Sequence, residues 1–127
     1  MNIRRQKAVV EAYHFDMKKK SEDKLQTQLN AGFSPLDPPT ENYPAENSII
    51  GAHLDFEIVL PQFIIRGAMG QVNHIADRKI TKKEDITQAE SDELLAPLFD
   101  LVTRLTYEVT EIITDEKGIT LNFNRDE

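Results

Sequence analysis

The chain has 127 residues, 39% of them hydrophobic and 29% charged, with a formal net charge of −7 and no cysteine. The length suits one domain with one core, residues 1–127. The lack of cysteine excludes disulfides, thiol catalysis and thiolate metal sites. The acidic balance opposes nucleic-acid binding, because Arg4, Arg5 and Lys7, and then Lys18, Lys19 and Lys20, are short basic clusters and the second is followed closely by Glu22 and Asp23. No apolar run approaches the roughly 20 residues of a membrane span, and no apolar signal core follows the basic N-terminus, so no membrane insertion and a cytoplasmic location are expected.

In chain order, Lys7–Asp16 reads as a strand. Val9, Tyr13 and Phe15 share one parity, and Val10, Ala12 and His14 share the other, so both faces carry apolar groups. Residues 18–23 are charged and turn-like. Residues 24–30 alternate Leu25, Thr27 and Leu29 with glutamines, a weak edge-strand pattern. Residues 31–47 hold Pro35, Pro38, Pro39 and Pro44 and read as a long loop. That loop also carries Phe33, Leu36 and Tyr43. It is either a packed crossover anchored by these side chains or a movable flap over an apolar groove.

Ile49–Leu60 is the clearest strand, with Leu54, Phe56, Ile58 and Leu60 on one face and His53, Asp55 and Glu57 on the other. Pro61 and Gln62 make a tight turn. Phe63–Ile75 returns antiparallel, and Gly67 and Gly70 within it signal a bulge or a close backbone approach. A polar connection, residues 77–85, leads to Thr87-Gln-Ala-Glu90, a capping box that opens a helix. Across Asp92–Thr114 the residues Leu94, Leu98, Leu101, Leu105, Val109 and Ile112 fall at helical spacing. Leu95, Phe99, Val102, Thr106 and Ile113 widen that stripe to roughly 160°, beyond the roughly 100° a core-facing helix needs. Pro97 predicts a kink, or a second helix after a short first one. Gly118 predicts a left-handed stop. Ile119, Leu121 and Phe123 predict a short terminal strand.

Catalytic signatures are weak. His14, His53 and His74 show no zinc-binding spacing, and no P-loop, nucleophile elbow or dinucleotide fingerprint is present. His53 with Asp55 reads as a solvated pair before a metal pair, and His74 with Asp77 as a structural hydrogen bond before a base and its orienter. Gly67 and Gly70 have the GxxG spacing of a KH loop but sit in a strand without basic neighbours. The reading is a protein without catalytic residues, metal or cofactor. The surplus helix surface leaves three occupants open: the chain's own sheet and loop, a second subunit, or an extended peptide in a groove beside the proline loop.

The element order, with Asn2-Ile-Arg-Arg-Gln-Lys7, Gly70-Gln-Val-Asn-His-Ile75 and Arg104-Leu-Thr-Tyr-Glu-Val-Thr-Glu-Ile112, resembles a family of small bacterial proteins of unknown function grouped by structure with the export chaperone SecB. The resemblance implies an α+β fold, with an antiparallel four-stranded sheet and a long C-terminal helix packed on one face. It also implies a homodimer or homotetramer that holds unfolded or partly folded polypeptides. A protein that binds apolar polypeptide segments as a holdase is the leading expectation, an oligomeric adaptor or scaffold for one dedicated protein partner is the alternative, and an enzyme is a distant third. On either reading the peptide-binding or oligomer surface is expected at Phe33, Tyr43, Leu95, Phe99, Val102, Thr106 and Ile113.

Overall fold

The computed structural model describes residues 1–122. Its elements are β1 (Asn2–Arg5), β2 (Val9–Met17), β3 (Gln28–Leu36), β4 (Ser48–Val59), β5 (Phe63–Ala76) and α1 (Gln88–Thr114), with short 3-10 turns at Lys20–Glu22 and Lys83–Asp85. All pairings are antiparallel, in the order β1, β5, β4, β3, with β2 also on β5. β4 occupies one edge of β5, so β1 and β2 share the other, end to end. The expected α+β class therefore holds. The expected four strands are four positions in the sheet, one of them filled by two segments.

The break between those segments is a matter of register. β1 pairs Arg5 with Asn73, whereas β2 resumes with Val9 opposite Gly70. Gln6 still donates its N–H to the Val72 carbonyl at 2.9 Å before the ladder lapses. A second irregularity lies between Val10 and Ala12, where Glu11 is the extra residue. The N-terminal strand thus extends further than its predicted start at Lys7. The basic residues Arg4 and Arg5 hid it, because an edge strand accepts charged side chains that a buried one would not.

The long loop expected over residues 31–47 is shorter, because Ala31–Leu36 complete β3, in register with Leu54–Ile49. Among the described residues β3 pairs only with β4. Half of an edge strand's backbone groups face away from the sheet, so Pro35 is tolerated there. The hairpin turn at Pro61 and Gln62 forms as expected, with Leu60 donating to the Phe63 carbonyl at 2.9 Å. Gly67 is a true close approach: an added Cβ would lie 2.2 Å from the Ala12 carbonyl oxygen and 2.6 Å from the Phe56 ring.

The helix begins at the predicted capping box. The Thr87 hydroxyl accepts from the Glu90 N–H at 3.2 Å, and the Glu90 carboxylate accepts from the Thr87 N–H at 2.9 Å. It then runs unbroken through Pro97. Proline lacks the N–H that would satisfy the Glu93 carbonyl one turn earlier. Arg5 supplies the donor instead, its guanidinium reaching that oxygen at 2.7 Å. The helix ends on Asp115 in the left-handed region (φ 54°), not on Gly118. Gly118 packs against Tyr107, where a Cβ would sit 2.2 Å from the carbonyl oxygen. Residues 119–122 form no strand, and Phe123 lies outside the described residues. Thr110 accounts for their placement. Its hydroxyl donates to the Thr106 carbonyl at 2.7 Å and accepts the Ile119 N–H at 2.8 Å, drawing the chain back along the helix.

The core lies between α1 and the β4–β5 pair. One cluster joins Ala52, Leu54, Phe56, Ile58, Ile65 and Met69 to Leu95, Leu98 and Val102, and a smaller one joins Ile50, Ile75, Ile80 and Leu94. Even-numbered positions of β4 and odd-numbered positions of β5 thus face the helix. The opposite parity forms a second face, which α1 does not cover.

Candidate polypeptide-binding surfaces

The structure divides the helix's apolar arc. Leu94, Leu95, Leu98, Val102, Thr106 and Thr110 are buried. From Leu98 the buried line advances every fourth residue, through two threonines, rather than along the predicted Leu101, Leu105, Val109 and Ile112. Both threonine hydroxyls find partners: that of Thr106 lies 3.2 Å from the Tyr13 hydroxyl across the core, and that of Thr110 bonds within its own helix. Burial pushes the Tyr13 phenol above its ordinary pKa, an effect the Thr106 contact partly offsets. Leu101, Leu105 and Val109 are left half-buried, while Ile112 is 76% and Ile113 50% exposed.

The seven predicted surface residues do not meet in one place. Leu95, Val102 and Thr106 lie in the chain's own core. Phe33 is half-buried against both core clusters, and Phe99 packs against the larger one. Tyr43, on the remaining loop, hydrogen-bonds His74 Nδ1 through its hydroxyl at 3.1 Å. Ile113 stands at the exposed end of the helix. Sequence reasoning missed the apolar residues along the outer edge of the sheet, where Val9, Val10 and Met17 are exposed.

The histidines are held in other ways than the sequence pairs imply. His74 contacts Tyr43 and, through Nε2, the Gln6 amide at 3.0 Å, while the Asp77 N–H is taken by Asn47 at 3.0 Å. The His53 ring lies over Gly32, where a Cβ would be 2.3 Å from Cε1. Among the described residues no group of three His, Asp or Glu side chains is placed to hold a metal ion. On the face turned away from α1, Arg66 bridges Glu57 at 2.8 Å and Glu22 at 3.2 Å, pinning the Lys20–Glu22 turn to the sheet. Glu57 and Glu22 hold the Arg66 guanidinium above its ordinary pKa, and the Lys19 N–H together with Arg66 holds Glu22 below its own. The same face carries a hollow of about 360 Å³ floored by Gly51, Gly70 and Val72. Among the described residues no helix is long and apolar enough to cross a membrane.

A single antiparallel sheet under one long C-terminal helix, its other face open, is the SecB-like arrangement, and comparison with solved structures agrees. A SecB-like chaperone of Mycobacterium tuberculosis, Rv1957, solved in complex with a ChAD peptide from the HigA1 antitoxin, superposes with a TM-score of 0.55 at 9% identity, over 96% of this chain and 90% of that one. That likeness is one of fold. The crystal structure of a protein of unknown function from Streptococcus agalactiae superposes with a TM-score of 0.87 at 35% identity, over 97% of this chain and 98% of the other. The chain belongs to the family described as Protein of unknown function (DUF1149), which matches residues 1–123. No curated protein matches it.

Proposed function

We propose that this protein holds apolar segments of other polypeptides, as a SecB-like holdase, and that it does so as a homo-oligomer. The observation that carries the reading is the apolar surface left uncovered at the C-terminal end of α1 and along β2: Ile112, Ile113, Val9, Val10 and Met17 are all more than a third exposed. Exposed apolar groups of this kind mark interaction sites when they cluster. The peptide bound by the mycobacterial neighbour supports the same reading by analogy of fold. Leu95, Val102 and Thr106 serve that surface from beneath, by fixing the helix on the sheet, while Phe99 and Ile113 offer contact themselves. The affinity would come from apolar burial, roughly 25 cal/mol per Å² before ordering costs are subtracted. The net charge of −7 favours basic clients and keeps loaded complexes soluble.

The test is suppression of aggregation of a chemically denatured protein at stoichiometric ratio. The wild type should suppress it, and a variant carrying Ile112→Asp and Ile113→Asp should lose most of that effect while keeping its helical circular dichroism. No suppression by the wild type would remove the holdase reading. Capture of one folded protein at fixed stoichiometry would favour the adaptor alternative.

A further inference from the structure

The open face of the sheet contains glycines that the fold does not require. Gly67 and Gly118 have no room for a side chain. Gly51 and Gly70 do have room. Neither has a positive φ. A Cβ on Gly51 would come no nearer to any atom than 3.4 Å, at the Leu36 side chain, with the Ser34 carbonyl next at 3.6 Å, and one on Gly70 would first meet the movable carboxylate of Glu11 at 3.1 Å. Glycine inside a strand loses conformational entropy and packs nothing, and it persists where another group approaches the backbone closely. Both glycines lie in the floor of the hollow, with Val9 and Val72 beside them and Gln6, Lys7, Glu11, Ser34 and His53 around the rim. The carboxylate above this floor is placed there by an irregularity. Glu11 is the extra residue of the β2 bulge, a device that re-aims a side chain. Among the described residues the Glu11 carboxylate has no ion pair or hydrogen bond.

We propose that the hollow between Glu11 and His53, over Gly51 and Gly70, is a subsite for the arginine side chain of a bound polypeptide. A guanidinium is flat, so it can lie on bare peptide planes where a Cβ would hold it off. Its parallel N–H groups match a carboxylate such as that of Glu11. Its methylene stem covers Val9 and Val72. Lys7 on the rim opposes a cation, so the subsite depends on Glu11. The ligand class rests on the polypeptide-binding reading above, but the site can be tested apart from it. N-acetyl-arginine-methylamide, titrated into the isotope-labelled protein, should shift the amide resonances of Gly51, Gly70 and Val72. The citrulline analogue has the same shape without the charge and should bind at least about tenfold more weakly, as should arginine to Glu11→Gln. Gly51→Ala and Gly70→Ala should also weaken binding while leaving the melting temperature unchanged or raised. Equal binding of citrulline, shifts confined to other residues, or binding unaffected by Glu11→Gln would each overturn the subsite. A fall in melting temperature in both alanine variants would assign the glycines to folding and overturn it as well. A blocked single residue needs no apolar groove, so failure here leaves the holdase reading standing, and failure to suppress aggregation leaves this result standing.

Discussion

Glu90 performs two tasks from one position. Its carboxylate closes the capping box at Thr87 and also receives the Arg78 guanidinium through two bonds, at 3.0 and 3.1 Å. Arg78, and then the Thr87 N–H, lower its pKa from 4.5 to about 2. Because the folded value is depressed, the ionised carboxylate contributes its full stability above the unfolded value near 4.5 and loses it as the pH falls through about 2. Glu90→Gln can keep the cap but not the ion pair. It should lower stability by roughly 1 kcal/mol at neutral pH, a small figure because water screens the pair. The difference between variant and wild type should close as melting is followed from pH 7 towards pH 2, and a constant difference would show that the charge is not what matters. The box was legible in the sequence because it is a local pattern of fixed spacing. Arg78 was not, because the pairing closes over a connector whose only regular element among the described residues is the short turn Lys83–Asp85. The left-handed residue was misplaced for a similar reason. Glycine is the better left-handed former, but Asp115 tolerates that region, and Gly118 is taken by its contact with Tyr107.

Elements are coupled where the sequence shows only isolated oddities. Pro97 predicted a kink or a second helix and Arg5 read as part of a short basic cluster, yet the two solve one problem: the proline frees the Glu93 carbonyl and the arginine takes it at 2.7 Å. A double-mutant cycle isolates this link. Arg5→Ala alone should destabilise the protein by about 1 kcal/mol, because the carbonyl loses a charge-assisted bond. Pro97→Ala alone should stabilise it, because an intrahelical donor returns. In the Pro97→Ala background Arg5→Ala should then have little effect on denaturant midpoints. Additive effects would show that Arg5 does not stand in for the missing helix donor. The strong strands β4 and β5 and the helix itself were plain from periodicity, since burial on one face imposes period 2 or 3.6. The ends of the sheet were not. β1 and the second half of β3 are edge segments whose charges and Pro35 mimic loop, and no periodic burial betrays them. Of the seven residues expected to form one binding surface, five were chosen by helical phase, and Phe33 and Tyr43 as the apolar side chains of the proline loop. The sheet instead took the phase running through Thr106 and Thr110, and this moved three of the seven into the core.

At the scale of the whole molecule, the described residues form one sheet with two unequal edges. At the β3 edge Pro35 interrupts the row of backbone donors, a common safeguard against strand addition. At the other edge β2 presents nine residues without proline, and Val9, Val10 and Met17 on it are exposed. If the chain self-associates as proposed, the physics places the contact there, because an edge without proline and with exposed apolar side chains gains both hydrogen bonds and burial from a second strand, on either side of the bulge at Glu11. The mass in solution should therefore exceed the 14.5 kDa of one chain by light scattering. Val10→Lys, which sets a charge on the β2 edge, should return it to the mass of one chain with the fold intact. Ala31→Lys, on β3, should leave the assembly unchanged. A wild type that is monomeric at high concentration would refute the association outright. Dissociation by Ala31→Lys but not by Val10→Lys would move the contact to the β3 edge and leave the apolar residues of β2 free for polypeptide clients.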